Sequence, residues 1–180
     1  MSIQGDLAVM SIPCTYMICR YCTIHLYNGG VKLENRVELA KKCFKEGFNC
    51  SQAVFSSYCD LLGLDKETGL KISCAFGAGM GREQEVCGAV SGALMLIGLK
   101  YGNIKENDKE AKEKTYAKTK ELCDSFKSTH GTIICRELLG CDINTPEGRK
   151  YADEHKLFTT KCVECVEISA KIIEDILFED

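Results

Sequence analysis

The chain has 180 residues, 45% of them hydrophobic, which is enough for one domain with a sizeable core. Its 23 basic and 26 acidic residues give a net charge of -3, so charge provides no attraction to nucleic acid or to an anionic membrane. The 13 cysteines stand in a chain too long and too apolar for a disulfide-stapled scaffold. Because their odd number is typical of a reducing compartment, we expect a cytoplasmic protein.

Residues 1–32 differ from the rest of the chain. They carry few charges, and Pro13 interrupts their only apolar run. We expect them to form a weakly ordered extension to a single helical domain over residues 33–180. Leu33 is also a candidate for the natural start, because Gly29-Gly30-Val31 can be encoded by a purine-rich stretch that resembles a ribosome-binding site.

From Glu34 onward the hydrophobic residues recur with helical spacing, and no sustained alternation is present. This pattern predicts an all-α fold, a compact multi-helix bundle with short loops. The first helix is predicted to end at Gly47, a residue suited to a helix C-terminus. Asn49 and Asp65 are predicted to cap the second and third helices.

A glycine-rich connection, residues 76–86, precedes the fourth predicted helix, which is apolar and covers residues 87–100. The longest apolar stretch, residues 93–99, is far shorter than the roughly 20 residues that span a bilayer. The sequence therefore predicts no contact with a membrane.

A long helix rich in lysine and glutamate is predicted over roughly residues 106–128, as a solvated face or a partner surface. Thr132 is predicted to cap the short helix that follows. Thr145, with a proline at the first helical position, starts another helix. The last helix is predicted to begin at Thr159 or Thr160 and to bury one apolar face.

Four cysteines lie in the first turn of four predicted helices. These are Cys50, Cys87, Cys135 and Cys162. Unpaired backbone N–H groups and the positive end of the helix dipole favour a thiolate at such positions. If the four helix starts converge, their sulfurs can hold an iron–sulfur cluster or a metal ion, or act as reactive dithiols. The alternative is that the cysteines are small core residues.

Gly88 and Gly92 lie four residues apart, directly after Cys87. They present a bare helix face that another backbone or a cofactor can approach closely. We therefore predict them as cofactor-binding positions. The same face is suited to the contact of a homodimer.

These stretches also carry a family resemblance. The segments GFNCSQAV, GAGMGREQEVCGAVSGALMLIGLKYG, HGTIICRELLGCD and KCVECVEISAKIIEDIL resemble the C_GCAxxG_C_C family of redox-active proteins, named for four cysteines. Its CGAxxG signature is present here as residues 87–92, and the resemblance covers about residues 34–178. The family's four cysteines fall on the same four positions as the helix-start cysteines.

The resemblance implies a cofactor. The family is similar to one domain of split-Soret cytochromes, which implies an iron–sulfur centre, and some members look like selenoproteins, which implies a reactive sulfur or selenium. Covalent c-type haem is not expected, because the Cys162 to Cys165 motif is followed by Val166 where haem attachment needs histidine.

Other candidates have weaker signals. Cys165 shares a helix face with Cys162 and is predicted as a spare ligand or a core residue. His130 is a ligand or simply a turn residue. Arg82 and Glu83 either tune the site by charge or form a solvated pair.

The spacing of Cys14, Cys19 and Cys22 matches a ferredoxin motif without its structural context. The remaining cysteines are predicted to pack in the core. Two of them, Cys74 and Cys141, are the next candidates if the site needs a fifth ligand.

The sequence as a whole predicts a cytoplasmic redox protein that passes electrons between its cysteine site and a partner oxidoreductase. The site either binds an iron–sulfur cluster or cycles between dithiol and disulfide. The main alternative is an interaction module in which the cysteines bind Zn²⁺ structurally, although such sites usually have two Cys-x-x-Cys motifs and only one lies among the four helix starts. No general acid, base or substrate pocket is identifiable, so no enzymatic reaction is assigned.

Overall fold

A computed structural model describes residues 23–27 and 30–178, and helices make up most of them. The predicted all-α class is confirmed. The helices are α1 Arg36–Lys45, α2 Cys50–Ser56, α3 Lys66–Ser73, α4 Gly77–Met80, α5 Gly88–Tyr101, α6 Lys109–His130, α7 Cys135–Leu139, α8 Pro146–Glu154 and α9 Lys161–Phe178. Short 3₁₀ turns lie at Cys59–Leu62 and Cys74–Phe76.

Two short strands, which the hydrophobic pattern did not predict, precede the helices. β1 (Thr23–Tyr27) pairs antiparallel with β2 (Gly30–Glu34). Strand β2 crosses the boundary predicted between residues 32 and 33, so a domain that starts there stays a prediction. The rest of the predicted extension, residues 1–22 and 28–29, lies outside the described residues.

Helix α5 is the centre of the bundle and packs against α2, α6 and α9. Its many small residues allow this close approach. A Cβ added at Gly92 would lie only 2.7 Å from the carbonyl oxygen of Ser51 in α2. Tyr58, the largest fully buried side chain, donates a hydrogen bond from its hydroxyl to the carbonyl of Ala170, at 3.1 Å.

Side-chain caps define several of the helix starts. The predicted caps at Asn49, Asp65 and Thr145 are confirmed, and Asn49 forms a capping box with Gln52. The predicted cap at Thr132 is wrong. Its hydroxyl accepts from the N–H of Ile134, and α7 begins only at the next residue.

A second, smaller core lies beside the main one and is built from α7, α8 and the loops around them. Cys135, Leu139, Ile143 and Ala152 are its buried members. Phe158 and Leu157 pack against them. This small core faces the helix starts that carry the cysteines. No helix in the described part of the chain is both long and apolar enough to cross a membrane.

Candidate functional site

The four predicted site cysteines line a single cavity of about 120 Å³. Cys50, Cys87 and Cys135 are buried, and Cys162 is half-buried. Cys165, which the sequence left as either a spare ligand or a core residue, lines the same cavity. The other lining residues are apolar except for one asparagine: Phe44, Asn49, Ala78, Leu139, Ile143 and Phe158.

Cys50 is held at the first residue of α2 by the capping box that precedes it. The side chain of Asn49 accepts from the N–H groups of Ser51 and Gln52, and donates to the carbonyl of Cys74 at 2.8 Å. The backbone N–H groups of Ser51 and Ala78 donate to the sulfur of Cys50. The cap thus fixes both the helix start and the position of the sulfur.

A short backbone pairing brings Cys87 and Cys135 together across 48 residues of sequence. Val86 and Ile134 form an isolated antiparallel bridge just before α5 and α7. The N–H of Cys87 donates to the carbonyl of Ile133 at 2.8 Å, and that of Cys135 donates to the carbonyl of Glu85 at 2.7 Å. Both helices therefore start side by side.

The glycine-rich connection forms a left-handed turn against this pairing. Ala78, Met80 and Arg82 have positive φ angles although they are not glycines, and Gly79 and Gly81 share this conformation. At Gly79 the packing is tight, since an added Cβ would lie 2.9 Å from the Cβ of Cys135. The turn thus covers one side of the cysteine site.

Gln84 anchors that turn to the small core, and nothing in the sequence singled it out. Its side chain is almost fully buried. The amide oxygen accepts from the N–H of Ile143 at 2.9 Å, and the amide nitrogen donates to the carbonyl of Cys141 at 2.9 Å. Gln84 therefore holds the loop after α7 over the cavity.

Gly88 and Gly92 have separate roles. A Cβ added at Gly88 would lie 2.5 Å from the sulfur of Cys50, so this glycine makes room for a ligand candidate. Gly92 instead faces the backbone of α2. Protein backbone thus occupies the space beside Gly92, and a cofactor contact at this residue stays a prediction. The glycine face is covered within the chain, which removes our reason for expecting a homodimer through it.

The last two cysteines lie on α9, three residues apart. The thiol of Cys87 is near enough to those of Cys165 and Cys50 for both to affect its pKa. Cys162 lines the same cavity, with its N–H donating to the carbonyl of Leu157 at 3.0 Å. Cys50, Cys87 and Cys165 are thus neighbours within the cavity.

Burial and thiol–thiol contact raise the pKa of every one of the four predicted cysteines. The hydrogen bond with Cys87, and then burial, raise the pKa of Cys50 well above its usual value, against the N–H groups that lower it. The hydrogen bond with Cys165 is the main cause of the raised pKa of Cys87. Burial, followed by repulsion from neighbouring cysteines, raises the pKa of Cys135 and of Cys162 to about 12.

This result corrects the expectation that the helix starts hold thiolates. The backbone N–H groups do lower the pKa, but the loss of hydration and the neighbouring sulfurs outweigh them. In the structure the four predicted cysteines are neutral thiols at neutral pH. A positively charged group among the sulfurs would reverse this balance, since a coordinating thiol is deprotonated.

Among the described residues, no group of three or more His, Cys, Asp or Glu side chains is arranged to hold a metal ion. The sulfurs instead border a cavity. That the sulfurs bind a metal ion or a cluster stays a prediction.

The remaining candidates in the described chain do not line the cavity. His130 ends α6, where its Nδ1 is 3.1 Å from the Nζ of Lys161 and its ring contacts Phe126. Arg82 and Glu83 are exposed, and Cys14, Cys19 and Cys22 lie outside the described residues. Among the described cysteines, those that do not line the cavity are Cys43, Cys59, Cys74, Cys123 and Cys141.

Comparison with known proteins adds one match. A family model described as "Putative redox-active protein (C_GCAxxG_C_C)" matches residues 48–176, which include all five cavity cysteines. No curated protein and no solved structure matches the chain.

Proposed function

Because the chain belongs to the C_GCAxxG_C_C family, we propose that it is an electron-transfer protein in which Cys50, Cys87, Cys135 and Cys162 hold an iron–sulfur cluster. The observation that carries the proposal is the convergence of these four cysteines, from four separate helix starts, on one cavity. Cysteine thiolates in sets of four are the usual ligands of such clusters.

Four cysteine ligands suit either an iron–sulfur cluster or a single Zn²⁺. They line one cavity of about 120 Å³. Structural zinc sites usually have two Cys-x-x-Cys motifs, and only one lies among the four helix starts. For this reason we favour a cluster over the structural zinc site that we considered as the alternative.

The protein would control such a group through its own side chains and backbone. N–H groups of Ser51, Ala78 and Ala89 donate to the sulfurs of Cys50 and Cys87, and such bonds stabilise negative charge on sulfur. The apolar lining, with Phe158 and Ile143 on the side of the small core, excludes water. When bound, the cluster would supply one-electron transfer.

Loading the site must release protons. The thiols of Cys135 and Cys162 have pKa values of about 12, so both are protonated before a cluster binds. Each ligand has to become a thiolate, and binding should therefore be favoured as the pH rises. The reducing cytoplasm, and a partner oxidoreductase that exchanges electrons with the site, complete the proposal.

The test is anaerobic purification of the full chain, followed by reconstitution with iron and sulfide. We expect bound iron and sulfide, together with visible absorption from sulfur-to-iron charge transfer. Serine substitution of each of the four cysteines in turn should abolish both. Cys74→Ser is the matched control, because Cys74 is exposed and does not line the cavity, and this variant should load normally.

Two other outcomes would contradict the cluster. Stoichiometric zinc without iron would show the structural metal site. A protein that takes up neither metal, but forms a disulfide when oxidised, would show dithiol chemistry. The second outcome has one structural observation in its favour, because Cys50, Cys87 and Cys165 line the same cavity as neighbours. In that reaction two thiols lose two protons and two electrons to an acceptor as the S–S bond forms.

A further inference from the structure

A second concave surface, which we call the arginine groove, lies directly beside the cysteine cavity. Its volume is about 460 Å³, within the range of small-molecule sites. Four residues line both spaces, so the groove and the cavity are adjacent: Asn49, Ala78, Ile143 and Phe158. The other residues of the groove are Gly77, Gly81, Arg82 and Arg149.

The charge of the arginine groove is entirely positive. Arg82 and Arg149 supply it, and no carboxylate is among the lining residues. Within the described chain neither guanidinium group forms an ion pair, whereas Arg36 and Arg136 both pair with aspartates. Two arginines without an ion pair in the lining of one concave surface favour an anion, because the N–H donors of a guanidinium group match phosphate and carboxylate oxygens.

Local contacts hold the side chain of Arg149 and the backbone of Arg82. The guanidinium carbon of Arg149 lies 5.5 Å from the centre of the Phe158 ring. The backbone of Arg82 adopts a φ of 78°, and its carbonyl accepts from the side-chain amide of Asn144 at 2.7 Å. This left-handed backbone conformation is energetically unfavourable for a non-glycine residue, and such strain is concentrated at functional sites.

We propose that the arginine groove binds a small organic phosphate ester. The two guanidinium groups match the charge of a phosphate monoester, which is close to -2 at neutral pH. Phe158 and Ile143 offer apolar surface to the organic part of the ligand. The bound molecule would lie beside the cavity that the cysteines line. Binding to the groove does not require that the cavity holds a cluster, so the two proposals can fail separately.

The test is an NMR titration of the full ¹⁵N-labelled chain with phenyl phosphate. We expect saturable shifts in the amide signals of residues 77–82 and around Arg149. Benzoate, which carries one negative charge, should bind more weakly, and phenol should not bind. Equal binding of benzoate would overturn the assignment to phosphate, and shifts confined to other parts of the chain would overturn the site.

Substitutions assign the binding to the two arginines. Arg82→Gly removes the side chain and suits the left-handed backbone, and Arg149→Gln keeps part of the stem that packs on Phe158. Each should weaken binding of phenyl phosphate at least tenfold, the loss expected for a charge-assisted pair. Lys150→Gln is the matched control, because Lys150 neighbours Arg149 on α8 but does not line the groove. Unchanged affinity in both arginine variants would overturn the proposal.

Discussion

Gly88 is the residue at which the cysteine site has least room. A Cβ there would lie 2.5 Å from the sulfur of Cys50 and 2.8 Å from the carbonyl oxygen of Phe76. Neither neighbour can move freely, since Cys50 is fixed by the Asn49 cap and the carbonyl belongs to the backbone. Only glycine lets α5 start this close to α2.

We predict that Gly88→Ala destabilises the protein by about 1–3 kcal/mol, the usual cost of an extra methyl group in a packed region. It should also displace the sulfur of Cys50 and impair loading of the cavity. Chemical unfolding and iron content measure the two effects.

The control lies on the same helix. Gly98 is exposed and has nothing within 4 Å of an added Cβ, so Gly98→Ala should stabilise α5 by about 0.5–1 kcal/mol. An equal effect of the two substitutions would contradict the packing role of Gly88.

The sequence identified some of these residues and missed others for physical reasons. Cys50 and Cys87 follow local signals, since each stands at a helix start that caps and composition predict. Gln84 has no such signal, because its partners are 57 and 59 residues away and become visible only in the folded chain. The role of Cys165 likewise depends on a contact with Cys87, a residue of another helix.

Among the elements, the left-handed turn over residues 78–82 departs furthest from local preference. Three of its five residues are not glycines, and left-handed backbone costs each about 1–2 kcal/mol. Tertiary contacts hold the turn, through Gln84 and through the close approach of Gly79 to Cys135. The sequence predicted a glycine-rich connection here but could not predict its handedness.

Gly79→Ala tests how tightly the turn packs. Its Cβ would lie 2.7 Å from the backbone nitrogen of Glu85 and 2.9 Å from the Cβ of Cys135. We expect a loss of about 1–2 kcal/mol from the backbone conformation, and a further 1–3 kcal/mol from the clash. The free energy of unfolding measures the sum.

A second glycine separates these two costs. Gly140 has the same φ of +66°, but nothing lies within 4 Å of a Cβ added there. Gly140→Ala should therefore show the backbone cost alone. If both variants lost the same stability, the turn would not be packed against Cys135 as described.

The hairpin of β1 and β2 is the other element that the hydrophobic pattern missed. Each strand has five residues, too few for alternation to stand out from chance. The dipeptide Asn28-Gly29 between them is the available signal, because it is typical of two-residue hairpin turns. Turn chemistry would have predicted this pair where periodicity did not.

At the scale of the whole molecule, α9 brings a buried acid into the main core. The side chain of Glu174 is 2% exposed. Burial, and then repulsion from Asp175, raise its pKa to about 7 in spite of the nearby charge of Arg36. The guanidinium of Arg36 donates its hydrogen bonds to Asp60 and to the carbonyl of Ser57, and not to the carboxyl of Glu174.

This carboxyl makes stability depend on pH. In the unfolded chain it ionises near 4.5, whereas in the folded chain it keeps its proton until about pH 7. The contribution of Glu174 to the free energy of unfolding is therefore fully present below pH 4.5 and is lost as the pH rises to 7. We predict that Glu174→Gln raises the free energy of unfolding at pH 8 by about 1–2 kcal/mol, and by less at pH 5.

Urea unfolding at the two pH values checks this prediction. Glu113→Gln serves as the control, because Glu113 is exposed on α6 and its loss should change neither value by much. A gain from Glu174→Gln that was the same at pH 5 and pH 8 would show that ionisation is not the cause.

The convergence of the cysteines is the part of the architecture that the residues alone could not establish. Helix starts, caps and the apolar central helix follow from local composition. Which starts lie side by side is decided by contacts such as the bridge between Val86 and Ile134, 48 residues apart. The family resemblance indicated the four positions, and the structure shows the backbone pairing that brings two of them together.

The site cysteines are far apart in the sequence, so they leave the ribosome at different times during synthesis. Cys50 leaves the ribosome long before Cys162, and the wall formed by α9 is missing until that helix has emerged. A nascent chain that still lacks α9 thus carries several of the site cysteines but not the complete cavity. A group that needs all four cysteines could therefore be bound only after α9 has been synthesised.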